Sequence, residues 1–521
     1  MESRETTGER LPWSDRVWAA LRRADGRTRL VWTLYAAAFA AVGFHLDTAL
    51  FEIWRALSSP VQIDFGEGIV LNYVALLVEQ GNYFTPSDEY PLVHGAYPPL
   101  FPLLALPLYQ AIGPSLWATR LVSLIAGAAL LLFVGRLVRH VTASRALGLL
   151  VPGMVLVSWL FRFWAPLGRV DVLALALSTA GLDVFLRHAD EDKPQRYWAF
   201  LLFCLAWSAK QTAIAAPGAV FLWAALCRDQ RRHLPRYLAA YLLPVLLVVG
   251  LCHGYSGGEF YDHIFAQWGV HEFAWARAWH YFHDWYLDQC LVLVLLVGAT
   301  VLAFRRRLVT GSTTWILLLH AAIAAVLYLS TGKSGSNANY TLEPMTSLYI
   351  AAAIAAARLI RAQWVWEGPL TLAMLCLFLW VGKPFGTWDG LDHLFRPPLS
   401  SQQRAELRRL IRQAPGEVIA VDMSEVVFAG RTNPLQLFDQ VRLYEAGKWD
   451  GQPLLRDCWA GRFPLVVWYA ELKTIPSLDA CLRARYRRVA AFEDTGCAVW
   501  RHRSWLADDE GTTRGQSRRH E

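Results

Sequence analysis

No CxxC pair occurs among the eight cysteines of this chain, and no nucleic-acid-binding motif is visible in it. The first absence argues against a zinc or thiol-redox centre, since both need a second sulfur or ligand at short spacing. Five cysteines, Cys204, Cys227, Cys252, Cys290 and Cys376, lie in or beside apolar runs, where a thiol serves as a small packing residue. A phosphate loop is missing as well. "TGKSGS" ends like one, but the upstream glycine is absent and no strand precedes it. No internal repeat of the transporter kind is evident. The basic excess, formally +7, does not gather into a nucleic-acid face, because most arginines sit in short loops between apolar runs.

What the chain has is apolar length. Of its 521 residues 55% are hydrophobic and 24 are tryptophan, and the mean hydropathy is +0.27. Apolar runs of roughly 17–25 residues recur, as in a polytopic helical membrane protein. Residues 1–29 are too long and too charged for a cleaved leader, so the first run is read as retained. Its arginine-rich flank, "RRADGRTRL", assigns this N-terminal segment to the cytoplasm.

The same bias threads the rest. A helix at about 30–55 leads to a first outer loop, 56–114, whose "YPPLFPLLALPLYQAIG" lies along the outer interface. Helices are expected at about 115–138, 146–164 and 171–187, with a pair within 196–227 and others at 236–254 and 287–304. One more ends near "STGKSGSNANY", the next reaches Arg358 and Arg361, and the last covers about 364–382. That makes about eleven transmembrane helices within residues 30–385. Residues 395–506 change character: "EVIAVDM" and "FPLVVWY" read as buried strands between helical stretches, a small α/β domain on the outer side. Cys458, Cys481 and Cys497 then face an oxidising compartment, with one disulfide allowed and its pair unspecified. Residues 507–521 read as a disordered tail.

This threading gathers Asp64, Glu67, His94, Arg169, Asp171, Lys210 and Lys333 at one outer face. Asp64 and Glu67, in "DFGEG", fall on one face of a helix start. They suit a general base or a metal ligand, and equally a capping box for "IVLNYVALLVEQG". Arg169 and Asp171 open another helix, as a second acid of a shared site or as an ion pair and cap. Lys210 and Lys333 stand beside hydroxyls, amides and glycines, as anion ligands or as lysines reaching the interface. His263, His271, His280 and His283 match no zinc spacing.

"DFGEG", "YPPLFPL" and "SLWATRLVSLIAGAALLLFVGRLV" together resemble the integral-membrane GT-C glycosyltransferases. The resemblance is to the bacterial branch related to protein O-mannosyltransferases and lipid A aminoarabinose transferases. "GRVDVLALALSTAGL", "KSGSNANYTLEPMTSLYIAAA" and "FAGRTNPLQLFDQVRLYEAGKWD" extend it over nearly the whole chain. It implies a GT-C-like polytopic α-helical membrane protein with about 11 transmembrane helices and a small C-terminal extracytoplasmic α/β domain. The implied activity is transfer of a sugar from a polyprenyl-phosphate donor to an extracytoplasmic acceptor, at the cell membrane among its lipids, with no nucleic acid involved. By carry-over Asp64 or Glu67 is the base and Asp171 shapes the site. Arg169, Lys210 and Lys333 hold the donor phosphate, and His94, Tyr97, Asn339 and Tyr340 wall the site. The chain has "DFGE" where the family commonly has an adjacent Asp-Glu, which leaves the choice of acid open, and a divalent ion optional. Two other classes compete: a transporter or flippase of a lipid-linked sugar, and a non-catalytic membrane scaffold. Charges at one face rather than at the midplane weigh against the first.

Overall fold

The computed structural model describes residues 24–189, 193–266, 271–286, 311–361, 373, 399–469, 475–492 and 496–505. Its first helix, α1 (Gly26–Ser58), begins where the Asp25 carboxylate accepts the Thr28 N–H and runs for 33 residues. α2 (Phe65–Gln80), α3 (Leu100–Ile112) and α4 (Leu116–Thr142) follow. Then come α5 (Arg145–Val157), α6 (Trp159–Trp164), α7 (Val170–Arg187), α8 (Trp198–Ala209), α9 (Ala215–Leu226) and α10 (Leu234–Tyr255). α11 (Trp275–Tyr286), α12 (Ser312–Leu327) and α13 (Leu342–Arg361) follow among the described residues.

Among the described residues, four helical stretches are long and apolar enough to cross a membrane: Gly26–Ser58, Leu116–Thr142, Arg231–Tyr255 and Ser312–Gly332. A helix satisfies its own backbone polar groups, which hydrocarbon requires. Large apolar side chains remain outward-facing on α1 (Trp32, Phe44, Phe51, Trp54) and on α10 (Leu243, Leu246, Leu247, Leu251). Water would penalise such stripes; lipid does not. Between α4 and α5 the backbones meet closely, since a Cβ on Gly135 would lie 2.7 Å from the Gly148 carbonyl oxygen.

The expected helix at 146–164 is broken. Ser158 is extended (ψ 137°) and its hydroxyl accepts the Phe161 N–H, so α6 starts afresh. The break carries Arg162, 1% exposed, to Glu52 of α1 at 2.9 Å. The segment expected as an aromatic loop, 255–286, contains α11 and a π-helical turn, Asp262–Ala266. The helices expected at 287–304 and 364–382, most of residues 1–29, and the tail 507–521 lie outside the described residues.

From residue 399 the chain forms α14 (Ser401–Gln413), β1 (Val418–Ala420), α15 (Met423–Phe428), α16 (Leu437–Glu445) and α17 (Gln452–Ala460). β2 (Leu465–Tyr469), α18 (Pro476–Arg485), β3 (Tyr486–Phe492) and β4 (Cys497–His502) follow. The sheet order is β1-β2-β4-β3, with β1 parallel to β2 and the other pairs antiparallel. No disulfide joins Cys458, Cys481 and Cys497, all three of which are buried.

This sheet region is fastened to the segment around α2. The Asn72 amide donates to the Asn433 carbonyl (3.1 Å), and its oxygen accepts the Asn433 N–H (2.9 Å). Leu92 exchanges backbone bonds with Pro434 (2.7 Å) and Gln436 (2.9 Å). Beside this seam Gln436 donates its amide to Asp439 of α16, whose burial, opposed by Arg442, pushes its carboxyl up to about 7. A carboxyl raised on folding binds more protons folded than unfolded between roughly pH 4 and 7, so it removes stability as pH rises through that window. Asp422, raised to about 7 by burial and by the Glu425 charge, acts in the same direction. Asp439→Asn is therefore expected to raise the thermal midpoint more at pH 8 than at pH 5, as read by tryptophan fluorescence in detergent. An equal shift at both values would contradict this.

Candidate functional site

The site grows from the start of α2. Asp64 is its N-cap: Oδ2 accepts the Gly66 N–H (2.9 Å) and Nη1 of Arg169 (2.6 Å). Gly66 leaves room for this ion pair, since a Cβ on it would lie 1.4 Å from that Nη1 and displace it. Three residues on, Glu67 turns to a different partner. Its Oε1 accepts Arg120 Nε (2.8 Å) and the Gly168 N–H (2.9 Å). Its Oε2 accepts Arg120 Nη2 (2.9 Å) and the Ile63 N–H (2.8 Å). Arg120 spends its remaining donors on the carbonyls of Ser59 (2.6 Å) and Val61 (2.8 Å). Both side chains of this bidentate pair are 0% exposed. Glu67 is saturated by structure, whereas the Asp64 side chain keeps 12% exposure.

Arg169 precedes α7 and reaches in three directions. Besides Asp64 it donates Nη2 to the Tyr97 hydroxyl (3.2 Å), and its Nε lies 3.6 Å from Asp171 Oδ2. Asp171 in turn accepts Lys210 Nζ (2.6 Å) and the Asn339 amide (2.7 Å) at Oδ1. Lys210, at the end of α8, stands 3.9 Å over the centre of the Tyr340 ring. The result is a buried chain of alternating charge, Asp64–Arg169–Asp171–Lys210, drawn from three separate stretches of sequence. Two acids and two bases cancel, which makes their joint burial tolerable.

Burial pushes the Asp64 carboxyl above its ordinary range, the Arg169 charge opposes, and the Glu67 charge adds to the rise. Burial works against the Lys210 ammonium, but Asp171 outweighs it and holds the lysine above its ordinary value. Tyr97 is pushed up to about 12 by burial, with Arg169 opposing.

Beside this chain lies a cavity of about 260 Å³, mostly apolar, with Asp171, Lys210, Gln211, Asn339, Tyr340 and Glu343 on its wall. Three buried oxygens among these residues, Asp171 Oδ2, Asn339 Oδ1 and Gln211 Oε1, have no hydrogen-bond partner within the described residues. The two amides cannot be turned to hide theirs. Asn339 spends its NH₂ on Asp171, and Gln211 spends its own on the Ala96 carbonyl (2.9 Å).

The candidates from sequence therefore divide. Asp64, Arg169, Asp171, Lys210, Tyr97, Asn339 and Tyr340 converge. Glu67 belongs to the neighbouring pair with Arg120. His94 turns instead to His263, with Nδ1 atoms 3.1 Å apart and rings stacked. Lys333 sits on the 271–336 loop pair, where its charge bears on His271. Arg120 went unweighed in the sequence, although an arginine inside an apolar run is itself a signal. The donor set does not fit a divalent cation. Each acid of the pair is held by a guanidinium, and among the described residues no three potential ligands cluster.

No family model matches the chain, and no curated protein matches it. Solved structures do. ArnT from Cupriavidus metallidurans in the apo state superposes with a TM-score of 0.61 at 14% identity, over 89% of this chain and 98% of that one. The same protein bound to undecaprenyl phosphate gives 0.60 at 14% identity, over 88% and 97%. An Archaeoglobus fulgidus oligosaccharyltransferase, in complex with Zn and sulfate, gives 0.51 at 10% identity, over 83% and 67%. The fold is that of the GT-C glycosyltransferases, and with its apolar helices the chain is a multi-pass membrane protein.

Proposed function

We propose that the chain is a membrane glycosyltransferase that moves a sugar from a polyprenyl-phosphate donor to an acceptor on the outer side of the membrane. The observation that carries this reading is the buried Asp64–Arg169–Asp171–Lys210 chain at the edge of a cavity, within a GT-C fold. The undecaprenyl phosphate bound by the similar ArnT structure supports the donor class.

Asp64 is the base. Its raised pKa and residual exposure suit a carboxylate that takes a proton from an acceptor hydroxyl as that oxygen attacks the anomeric carbon. Lys210 and Arg169 hold the donor phosphate. Each keeps N–H groups beyond its salt bridge, and their charge stabilises the anion released when the sugar–phosphate bond breaks. Asp171 keeps both cations apart and oriented, while Glu67 with Arg120 fixes the start of α2 and hence Asp64. Lys333, on its loop, meets the donor or acceptor at the periphery. The N-terminus is cytoplasmic, and the sheet region and site are extracytoplasmic, as the loop arginines indicate.

The test is sugar transfer from radiolabelled polyprenyl-phosphate sugars in membranes with and without the protein. Label leaving the donor for a new product only when the protein is present supports transfer. Label that crosses sealed vesicles with its donor intact would favour the transporter reading.

A further inference from the structure

On the wall of the same cavity, Glu343 opens α13 with its side chain 21% exposed. Oε1 accepts from His320 Nε2 of α12 at 3.0 Å. Behind the imidazole, the Ser347 hydroxyl lies 3.3 Å from Nδ1 and also bonds the Glu343 carbonyl at 2.7 Å. His320 and Ser347 are buried, 3% and 2% exposed. This relay pins the carboxylate from one side and leaves it turned to the cavity. The described chain of ion pairs makes no use of it.

Besides the Lys210 ammonium, the polar wall of the cavity carries several oxygens that no donor reaches. Asn339 Oδ1 and Gln211 Oε1 are buried acceptors without a hydrogen-bond partner, Asp171 Oδ2 has only its ion pair with Arg169 Nε at 3.6 Å, and Glu343 adds a carboxylate. A phosphate brings only acceptors of its own, and a prenyl chain brings nothing polar. Either would leave these oxygens desolvated and unpaired. A ring bearing several O–H or N–H groups would satisfy them. The apolar remainder of the wall, with Trp207 and Phe265 among it, suits the C–H faces of such a ring.

We infer that this cavity is the glycosyl subsite of the donor, with Glu343 accepting a hydroxyl or ammonium hydrogen of the sugar and His320 and Ser347 as its positioning residues. The inference rests on the proposed function and assigns its parts. Phosphate sits at the Lys210–Arg169 edge, the sugar lies inside, and the prenyl chain stays outside the cavity.

The test compares two kinds of probe on the purified protein in detergent by calorimetric titration: neryl phosphate, and neryl phosphate bearing mannose, glucose or glucosamine. At least one sugar-bearing probe is expected to bind about tenfold or more tightly than neryl phosphate. Glu343→Gln is expected to remove that increment while leaving neryl phosphate affinity unchanged, which also reports that the variant is folded. Should Glu343→Gln fail to fold, Glu343→Asp, which withdraws the carboxylate, reads the same increment. A loss confined to glucosamine identifies an ammonium contact, and a loss shared by the neutral sugars a hydroxyl contact. Equal affinity for all probes, or a variant that weakens neryl phosphate as much as its sugars, would overturn the subsite and favour a prenyl chain in the cavity. Binding of no probe would refute the donor reading itself, and the subsite with it.

Discussion

Arg169→Met is expected to lower sugar transfer by at least about a hundredfold at neutral pH. Arg169 touches both halves of the site, bonding Asp64 and Tyr97 and standing beside Asp171. Asp171 would keep Lys210 and Asn339, but Asp64 would keep only the Gly66 N–H among the bonds described here. Its carboxyl, already raised by burial and lowered by Arg169, would rise further once that charge is gone. A base with a higher pKa is protonated over more of the neutral range, so the rising limb of the pH–rate profile should move to higher pH. Part of the lost rate should return on alkalinisation, and Arg169→Lys should retain more of it. A uniform loss at every pH would mean that Arg169 serves donor binding alone.

Arg120→Met should act on stability instead. It leaves Glu67 buried at 0% exposure with only two backbone N–H partners. Removing one member of a buried pair typically costs about 3–5 kcal/mol, because the stranded charge has nowhere to go. The expected reading is a sharp loss of folded protein on detergent extraction and a lower thermal midpoint. The double variant Arg120→Met/Glu67→Leu removes both charges and should recover much of that loss. If the single variant were as stable as the native chain, the pair would not be holding the start of α2.

How far the sequence disclosed this arrangement depends on the kind of signal each part leaves. Helices such as α1 and α4 announce themselves by apolar length, which is local and needs no partner. The break at Ser158 was less legible, since "VSWLFRFW" continues an apolar run, and only the cap geometry ends the helix there. Charges that violated the topology bias, Lys210 among them, pointed to the site because burying a charge requires a partner. What sequence spacing could not tell was which partner. Asp64 and Glu67 look equivalent in "DFGEG". They differ because Arg169 and Arg120, far along the chain, approach from different sides. Glu343 and His320 were hidden for the same reason, each polar residue standing alone in its own stretch until two helices meet.

The most direct measurement is transfer per folded molecule in purified Asp64→Asn and Glu67→Gln, with donor binding recorded on the same samples. Asp64→Asn is expected to bind donor yet lose transfer by about 10²–10⁴-fold, the usual worth of a positioned base. Glu67→Gln should yield less folded protein, but that fraction should keep most of the native rate. The reverse pattern, with Asp64→Asn active and folded Glu67→Gln inert, would contradict this and hand the base to Glu67.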